Sequence, residues 1–380
     1  MRVAIVTNVT APYRTELFRH VQPLVTDLRV FFQADTEPLR NWERRPTLPY
    51  AHDYLKSFTV RLGSRKVGIF GGLGSQVVRR PWDVLVCYGF SMATVACCGL
   101  ARRRAIDLVI ANDGTLETDV CAGPEFHYRR ALVARASGYV AASTSAAEYF
   151  LKLGADPARV HVIPLTVDLA AIRDHQPSTK TVAHLRSKIG AGPIVLVAAR
   201  LVPGKEILDA CEAVHRVAQK ISDIKLVIAG DGPMRDRVTS WKEAHDAEHV
   251  VLLGMAEWEQ MLTLYKMADL VLFPARREKF GMVVIEGLAA GVPVIAYRKV
   301  GAARDLIRDG INGFLVDEGD VNGLAQRIEE IVGAPSLGCR LKEHAARVVE
   351  HHDVRVEARR FVDALHASLA LRREGAHLSA

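Results

Sequence analysis

With 380 residues, 49% of them hydrophobic and 24% charged, the chain excludes broad disorder and is too long for one ordinary domain; two are expected, each large enough for its own core. The net charge of +7 sits almost wholly in residues 1–170, which hold 21 Lys/Arg against 15 Asp/Glu. That surplus points to an anionic partner such as phosphate or anionic lipid, while aromatics at 7% with no interleaved aromatic–basic pattern exclude nucleic acid.

The first half alternates apolar runs with helical patterns. A strand begins at once at 3–7, with no basic stretch and apolar run ahead of it, so no signal peptide is expected. The loop behind it reads Asn8-Val9-Thr10-Ala11-Pro12-Tyr13-Arg14 and enters a helix. Further strands read as 28–33, 84–88, 108–111, 139–142 and 160–164. The longest uncharged run, 84–100, is short for a membrane span and broken by Gly89 and Ser91; it reads as a buried strand with a helix behind it. Residues 61–73 set basic side chains beside a short apolar stretch, and Arg79-Arg80 and Arg102-Arg103-Arg104 add charge. This composition suits a peripheral contact with an anionic membrane. Ser145 with Glu148 reads as a capping box and Gly154 as a helix stop. The cysteines, Cys87, Cys97, Cys98, Cys121, Cys211 and Cys339, form no C-x-x-C pair and read as buried free thiols in a reducing compartment, not zinc ligands.

A polar stretch at 168–192 marks the junction. Strands then read as 194–199, 225–229, 250–253, 270–274, 292–296 and 313–316. Continuous apolar runs between helices mean a parallel sheet covered on both faces. Three loops behind these strands carry the informative residues. Arg200-Leu201-Val202-Pro203-Gly204-Lys205 follows the first. Gly230-Asp231-Gly232-Pro233 follows the second; it lacks the third glycine of a dinucleotide loop, so a dehydrogenase is not indicated. Behind the fourth comes Glu278-Lys279-Phe280-Gly281-Met282-Val283-Val284-Ile285-Glu286, and then Gly291-Val292-Pro293-Val294. Glu278 falls on the loop at the carboxyl end of a strand, where open α/β sheets bind ligands. Glu286 reads as two turns along the next helix on nearly the same face. The N–H groups of Phe280, Gly281 and Met282 open that helix and form an anion site. Two hydroxyl acceptors beside a phosphate cradle suit a nucleotide sugar. Asn312-Gly313 reads as a tight turn.

From Glu278 to Val294 the chain resembles glycosyltransferase family 4 and its signature E-x-F-G-x-x-x-x-E-G-x-A-x-G-x-P-V. Arg200 to Lys205 is similar to that family's G-R-L-x-x-x-K-G segment, with Ala199 and Glu206 where glycines are usual; Glu206 is placed to neutralise Lys205 in part. The resemblance implies the GT-B fold: two doubly wound Rossmann-like α/β domains facing across a cleft. Residues 1–168 would bind the acceptor and 169–355 the nucleotide-sugar donor, with a helix in 356–380 crossing back to the first domain. It also implies a retaining enzyme. Arg200 and Lys205 would neutralise the diphosphate as it leaves. Gly230 would admit the nucleotide, Glu278 would touch the sugar hydroxyls and Glu286 the ribose hydroxyls. Phe280, Gly281, Met282 and Val283 would complete the donor site. The leaving phosphate itself would take the acceptor proton. On the other side, residues 8–14 resemble a subgroup's P-x-Y-R loop, which makes Tyr13 and Arg14 acceptor-binding. The family's catalytic His is absent from 111–115, and Asp113 stands there instead.

The expected function is therefore transfer of a sugar from a nucleotide-diphosphate sugar to a lipid-linked or polysaccharide acceptor in envelope glycan synthesis. The expected location is cytoplasmic, peripheral to the membrane. A soluble small-molecule acceptor is the alternative, as is a non-catalytic sugar-nucleotide-binding protein, which the intact Arg200, Glu278 and Glu286 set opposes. A sugar-nucleotide epimerase lacks the acid/base residues it would need. With no D-x-D and no ligand set around His161, His351 or His352, neither a metal nor another cofactor is expected.

Overall fold

The structure, a computed structural model, describes residues 1–34, 47–62, 65–71, 77 and 80–377; at 56–62, 65–71, 349 and 371–377 it describes the backbone. The chain forms two compact units, Met1–Val167 with Val354–Ala380, and Asp168–Asp353.

The first unit holds strands β1 (Arg2–Thr7), β2 (Asp27–Phe32), β3 (Ala51–Tyr54), the hairpin β4 (Lys56–Leu62) and β5 (Arg65–Gly71), then β6 (Val84–Tyr88), β7 (Asp107–Asn112), β8 (Gly138–Ala141) and β9 (Val160–Val162). Seven of them make one parallel sheet in the order β3-β2-β1-β6-β7-β8-β9, while β4 and β5 pair antiparallel with each other. The strand order reverses between β1 and β6, where loops diverge and leave room at the carboxyl edge. Alternation along β1 explains the covering on both faces. Ala4 and Val6 face the cluster of α2 (Met92–Arg104), α3 (Gly123–Val133) and α4 (Thr144–Lys152). Val3 and Ile5 face α1 (Pro12–Val21), through Leu17 and Phe18, and a late helix at Val354–His377, through Phe361 and Leu365.

Several expectations are corrected here. β3 carries Ala51-His52-Asp53-Tyr54, with no apolar run to betray it. The 61–73 stretch lies largely in the β4–β5 hairpin, with residues 63, 64, 72 and 73, like Arg79, outside the described residues. Arg102-Arg103-Arg104 forms the last turn of α2, where cations meet the negative end of the helix dipole. The cap of α4 is Ser143, not Ser145: its extended backbone lets its Oγ accept the Ala146 N–H at 3.1 Å. Cys339 is exposed and Cys121 half-buried, whereas the other four thiols are buried.

The second unit follows the same plan: α5 (Leu169–Asp174), α6 (Thr179–Ile189), β10 (Ile194–Ala198), α7 (Ile207–Ala218), β11 (Lys225–Ala229), α8 (Arg235–Ala244), β12 (Val250–Gly254), α9 (Trp258–Met267), β13 (Leu270–Phe273), α10 (Met282–Ala289), β14 (Val294–Tyr297), α11 (Gly301–Leu306), β15 (Gly313–Val316), α12 (Val321–Gly333), α13 (Pro335–Ala345) and α14 (Val348–His352). The sheet is parallel in the order β12-β11-β10-β13-β14-β15, with its reversal between β10 and β13. Within the polar stretch at the junction the chain folds as α5 and α6. Asp168 and Ser178 cap them, and Leu169, Ile172, Leu185 and Ile189 are buried. Asn312 lies in a turn, as expected, and stitches it from a buried position: its Oδ1 accepts the Arg308 N–H at 2.7 Å and its Nδ2 donates to the Leu306 carbonyl at 2.9 Å. Where α7, α8 and the start of β12 meet, Trp241 stacks on His245 with centroids 4.3 Å apart, and His215 stacks on His249 at 5.3 Å. α15 (Val354–His377) then returns the chain to the first unit. Among the described residues no helix is long and apolar enough to cross a membrane.

Candidate active site

In the second unit the loops after β10 and β13 leave adjacent parallel strands at the point of reversal. They bring together two residues 73 positions apart: Lys205 Nζ donates to Glu278 Oε2. Lys205 also lies 5.0 Å from the Phe273 ring centroid, a cation–π distance. The other Glu278 oxygen accepts the Lys279 N–H at 3.0 Å. Lys205 is thus neutralised by Glu278, not by Glu206 as expected. Glu206 takes a left-handed backbone, φ 47°, at the start of α7, and its carboxylate lies 3.9 Å from Arg276. A non-glycine residue held there stores on the order of 1 kcal/mol of strain. Arg200 is exposed on the first of these loops.

Gly281 caps α10 in the left-handed region, φ 96°, and a Cβ there would fall 2.8 Å from Val300 Cγ1, so only glycine fits. Phe280 is buried, its carbonyl accepting the Ala302 N–H at 2.8 Å. The first intrahelical bond runs from the Val284 N–H to the Gly281 carbonyl, which leaves the Met282 and Val283 N–H groups at the open end of the helix. Because α10 starts at Met282, Glu286 sits about one turn in, not two, roughly 6 Å along the axis. Its Oε2 accepts the Tyr265 hydroxyl at 2.8 Å. Burial raises the Glu286 carboxyl above its ordinary value, and the Tyr265 hydrogen bond opposes that rise only in part. Nothing in the residues 258–267 announced Tyr265: it comes from α9, one strand earlier, and carries no motif. Gly230 has a structural reason of its own, since a Cβ would lie 1.9 Å from the Ala199 carbonyl oxygen.

In the first unit Arg14 and Asp113 also meet. Arg14 is buried on α1; its Nη1 donates to Thr7 Oγ1 at 3.1 Å and to Asn8 Oδ1 at 2.5 Å, and Nη2 lies 3.6 Å from Asp113 Oδ2. The guanidinium sits 4.5 Å from the Tyr88 ring centroid and 5.6 Å from that of Tyr13. Tyr88 was not anticipated, though it ends an apolar strand at the reversal point. Burial pushes its phenol pKa up, with Arg14 pulling the other way. A small cavity opens beside Arg14, Tyr88, Asn112 and Asp113, with Phe361 of α15 on its wall. The loop carrying Asp113 is anchored further on: Arg129 pairs with Asp119 at 2.6 Å and Glu125 at 2.8 Å and donates to Tyr149 Oη at 3.0 Å. Among the described residues no group of three His, Cys, Asp or Glu side chains is placed to hold a metal ion.

Residues 185–348 match the family described as glycosyl transferases group 1. A D-inositol 3-phosphate glycosyltransferase of Mycobacterium sp. (strain KMS) is 32% identical over 204 residues, which are 50% of this chain and 44% of that one. The chain spans about half the length of the curated relatives it matches, as that share shows. Among solved structures, Alr3699/HepE of Anabaena in complex with UDP superposes with a TM-score of 0.76 at 20% identity, covering 97% of this chain and 100% of the other. The apo form of the lipopolysaccharide outer core galactosyltransferase WaaB gives 0.71 at 14% identity, covering 97% and 99%. The two parallel-sheet α/β domains are those of the GT-B fold.

Proposed function

We propose that the chain is a retaining glycosyltransferase that moves a sugar from a nucleotide-diphosphate sugar to a lipid-linked or polysaccharide acceptor of the cell envelope. The observation that carries the reading is the meeting of Lys205 and Glu278, drawn from two separate motifs, beside the open end of α10. In the reaction the bond between the anomeric carbon and the diphosphate oxygen breaks. The acceptor oxygen bonds to that carbon from the same face, and its proton passes to the departing diphosphate. Arg200 and Lys205 meet the negative charge that builds on the leaving oxygen. Glu278 accepts hydrogen bonds from the sugar hydroxyls and Glu286 from the ribose. Asp113, oriented by Arg14, faces the acceptor hydroxyl, with Tyr13 beside it. UDP in the Alr3699/HepE complex supports a nucleoside-diphosphate donor, and the WaaB fold neighbour and the basic first half support an envelope acceptor.

Release of UDP, GDP or ADP from a panel of their sugars, followed with the two Glu variants, tests the reading. Glu286→Ala should weaken donor binding by about 1–3 kcal/mol, the range for a lost buried hydrogen bond. Glu278→Ala should chiefly lower turnover. Wild-type kcat/KM in the double variant would refute the site. Activity should also survive EDTA, because Arg200 and Lys205 supply the phosphate charge and the chain has no D-x-D. Loss on chelation with rescue by Mn²⁺ would refute that.

A further inference from the structure

The loops after β10 and β13 are tied at Gly204, whose carbonyl accepts the N–H groups of Arg276 at 2.9 Å and Arg277 at 3.2 Å. Together they carry five cationic side chains, Arg200, Lys205, Arg276, Arg277 and Lys279. Two of these already face carboxylates: Lys205 holds Glu278, and Arg276 lies 3.9 Å from Glu206. Arg200 and Arg277 are exposed, and neither guanidinium has a hydrogen-bond or carboxylate partner among the described residues. Gly204 has φ 88°, and a Cβ there would lie 3.1, 3.5 and 3.7 Å from Cβ, Cγ and Cδ of Arg277. The aliphatic stem of Arg277 therefore runs across Gly204, on the very loop that carries Arg200 and Lys205. Packing the stem leaves less rotamer freedom to lose when the head meets an anion.

We infer that Arg277 is a further donor-contacting residue and that it binds the diphosphate together with Arg200. The inference rests on the donor reading above. A nucleoside diphosphate brings at least two negative charges to these loops. Glu278 offsets part of the charge of Lys205, so Arg200 and Lys205 together fall short of the charge on the departing diphosphate. Arg277 supplies the missing charge, and its planar fork can hold two phosphate oxygens at once.

Titration calorimetry with UDP, GDP and ADP in parallel, taking whichever the wild type binds best, decides the matter with two variants. Arg277→Met keeps an unbranched apolar stem over Gly204 and removes the charge. Arg277→Lys keeps a charge and removes the fork. Arg277→Met should bind the diphosphate about tenfold more weakly, as expected for one charged hydrogen bond, with a shallower salt dependence and an unchanged Tm. Arg277→Lys should fall between it and the wild type. Wild-type affinity and salt dependence in Arg277→Met would overturn the inference and leave the donor reading standing. Equal weakening in both variants with a lowered Tm would mark the stem as packing only, and overturn it as well. Failure of the wild type to bind any of the three would overturn the donor reading, and the inference with it.

Discussion

Glu278 and Glu286 are the same side chain in different surroundings. Glu278 is held by an ammonium and a backbone N–H, whereas Glu286 is buried and has the Tyr265 hydroxyl. Burial raises the Glu286 pKa because the charged form is desolvated; Tyr265 works against this by donating to the carboxylate. Removing that donor must therefore raise the pKa further. Tyr265→Phe should move the acid midpoint of nucleoside-diphosphate binding to higher pH, with little change at alkaline pH where Glu286 is ionised in both proteins. A pH series of binding isotherms checks this, and an unmoved midpoint would remove Glu286 from the binding step. Sequence reading reached the carboxylates because their spacing and the Phe280-Gly281 step belong to one short segment. It missed Tyr265 and Tyr88 because each partner arrives through the fold, from another helix or strand, and no local pattern reports it. It misplaced the partner of Lys205 for the same reason: Glu206 is next in the chain, but Glu278 is next in space.

Elements buried on both faces were legible, since β1, β6, β10 and β13 are unbroken apolar runs. β3 was not, because an edge strand covered by little needs no such run; its residues are exposed or half-buried. The β4–β5 pair was not read as strand either, because its basic residues dominated the composition. The helix ends α7 and α8 supply a property of their own. His249 is held down to about 4 from its usual 6.5, first by burial and then by His215, Lys225 and Lys242, with Glu248 opposing. The folded state thus resists a proton that the unfolded chain accepts. Stability from this site is complete above pH 6.5 and drains away as pH falls from there towards 4. His249→Asn should lose less Tm between pH 7 and pH 5 than the wild type does, measured by thermal melts at fixed ionic strength. Parallel melting curves would assign the acid sensitivity elsewhere.

Over the whole molecule, charge is unevenly shared: nearly all of the net +7 belongs to residues 1–170. An anionic surface should therefore draw the protein through its first domain, at about 1 kcal/mol for each Lys or Arg near the leaflet. Co-sedimentation with vesicles should be greater for anionic than for neutral lipid at low salt, and should fade as salt screens the charge. Equal, negligible binding to both would favour an acceptor met in solution. The two-domain plan was visible in the order of apolar runs, but the route of the chain through it depended on where α15 finds its core. By themselves Phe361 and Leu365 read as the apolar side of an amphipathic helix, which fits many surfaces; it was the resemblance that implied a return to the first domain.

That route has a consequence for how the protein is made. Val3, Ile5 and Phe18 leave the ribosome well before Phe361 and Leu365, which form part of their covering. The first domain is begun before the second and finished after it. The whole of Asp168–Asp353 must be translated in between, roughly 10–40 s at ordinary elongation rates. During that interval one face of the sheet lacks its final helix and stays open to wrong partners, so the second domain can complete its own continuous core while the first still waits. A message cut short before α15 would therefore release a sound second domain attached to an unsealed first one, and quality control would meet the defect in the first domain's sheet, far from the missing codons.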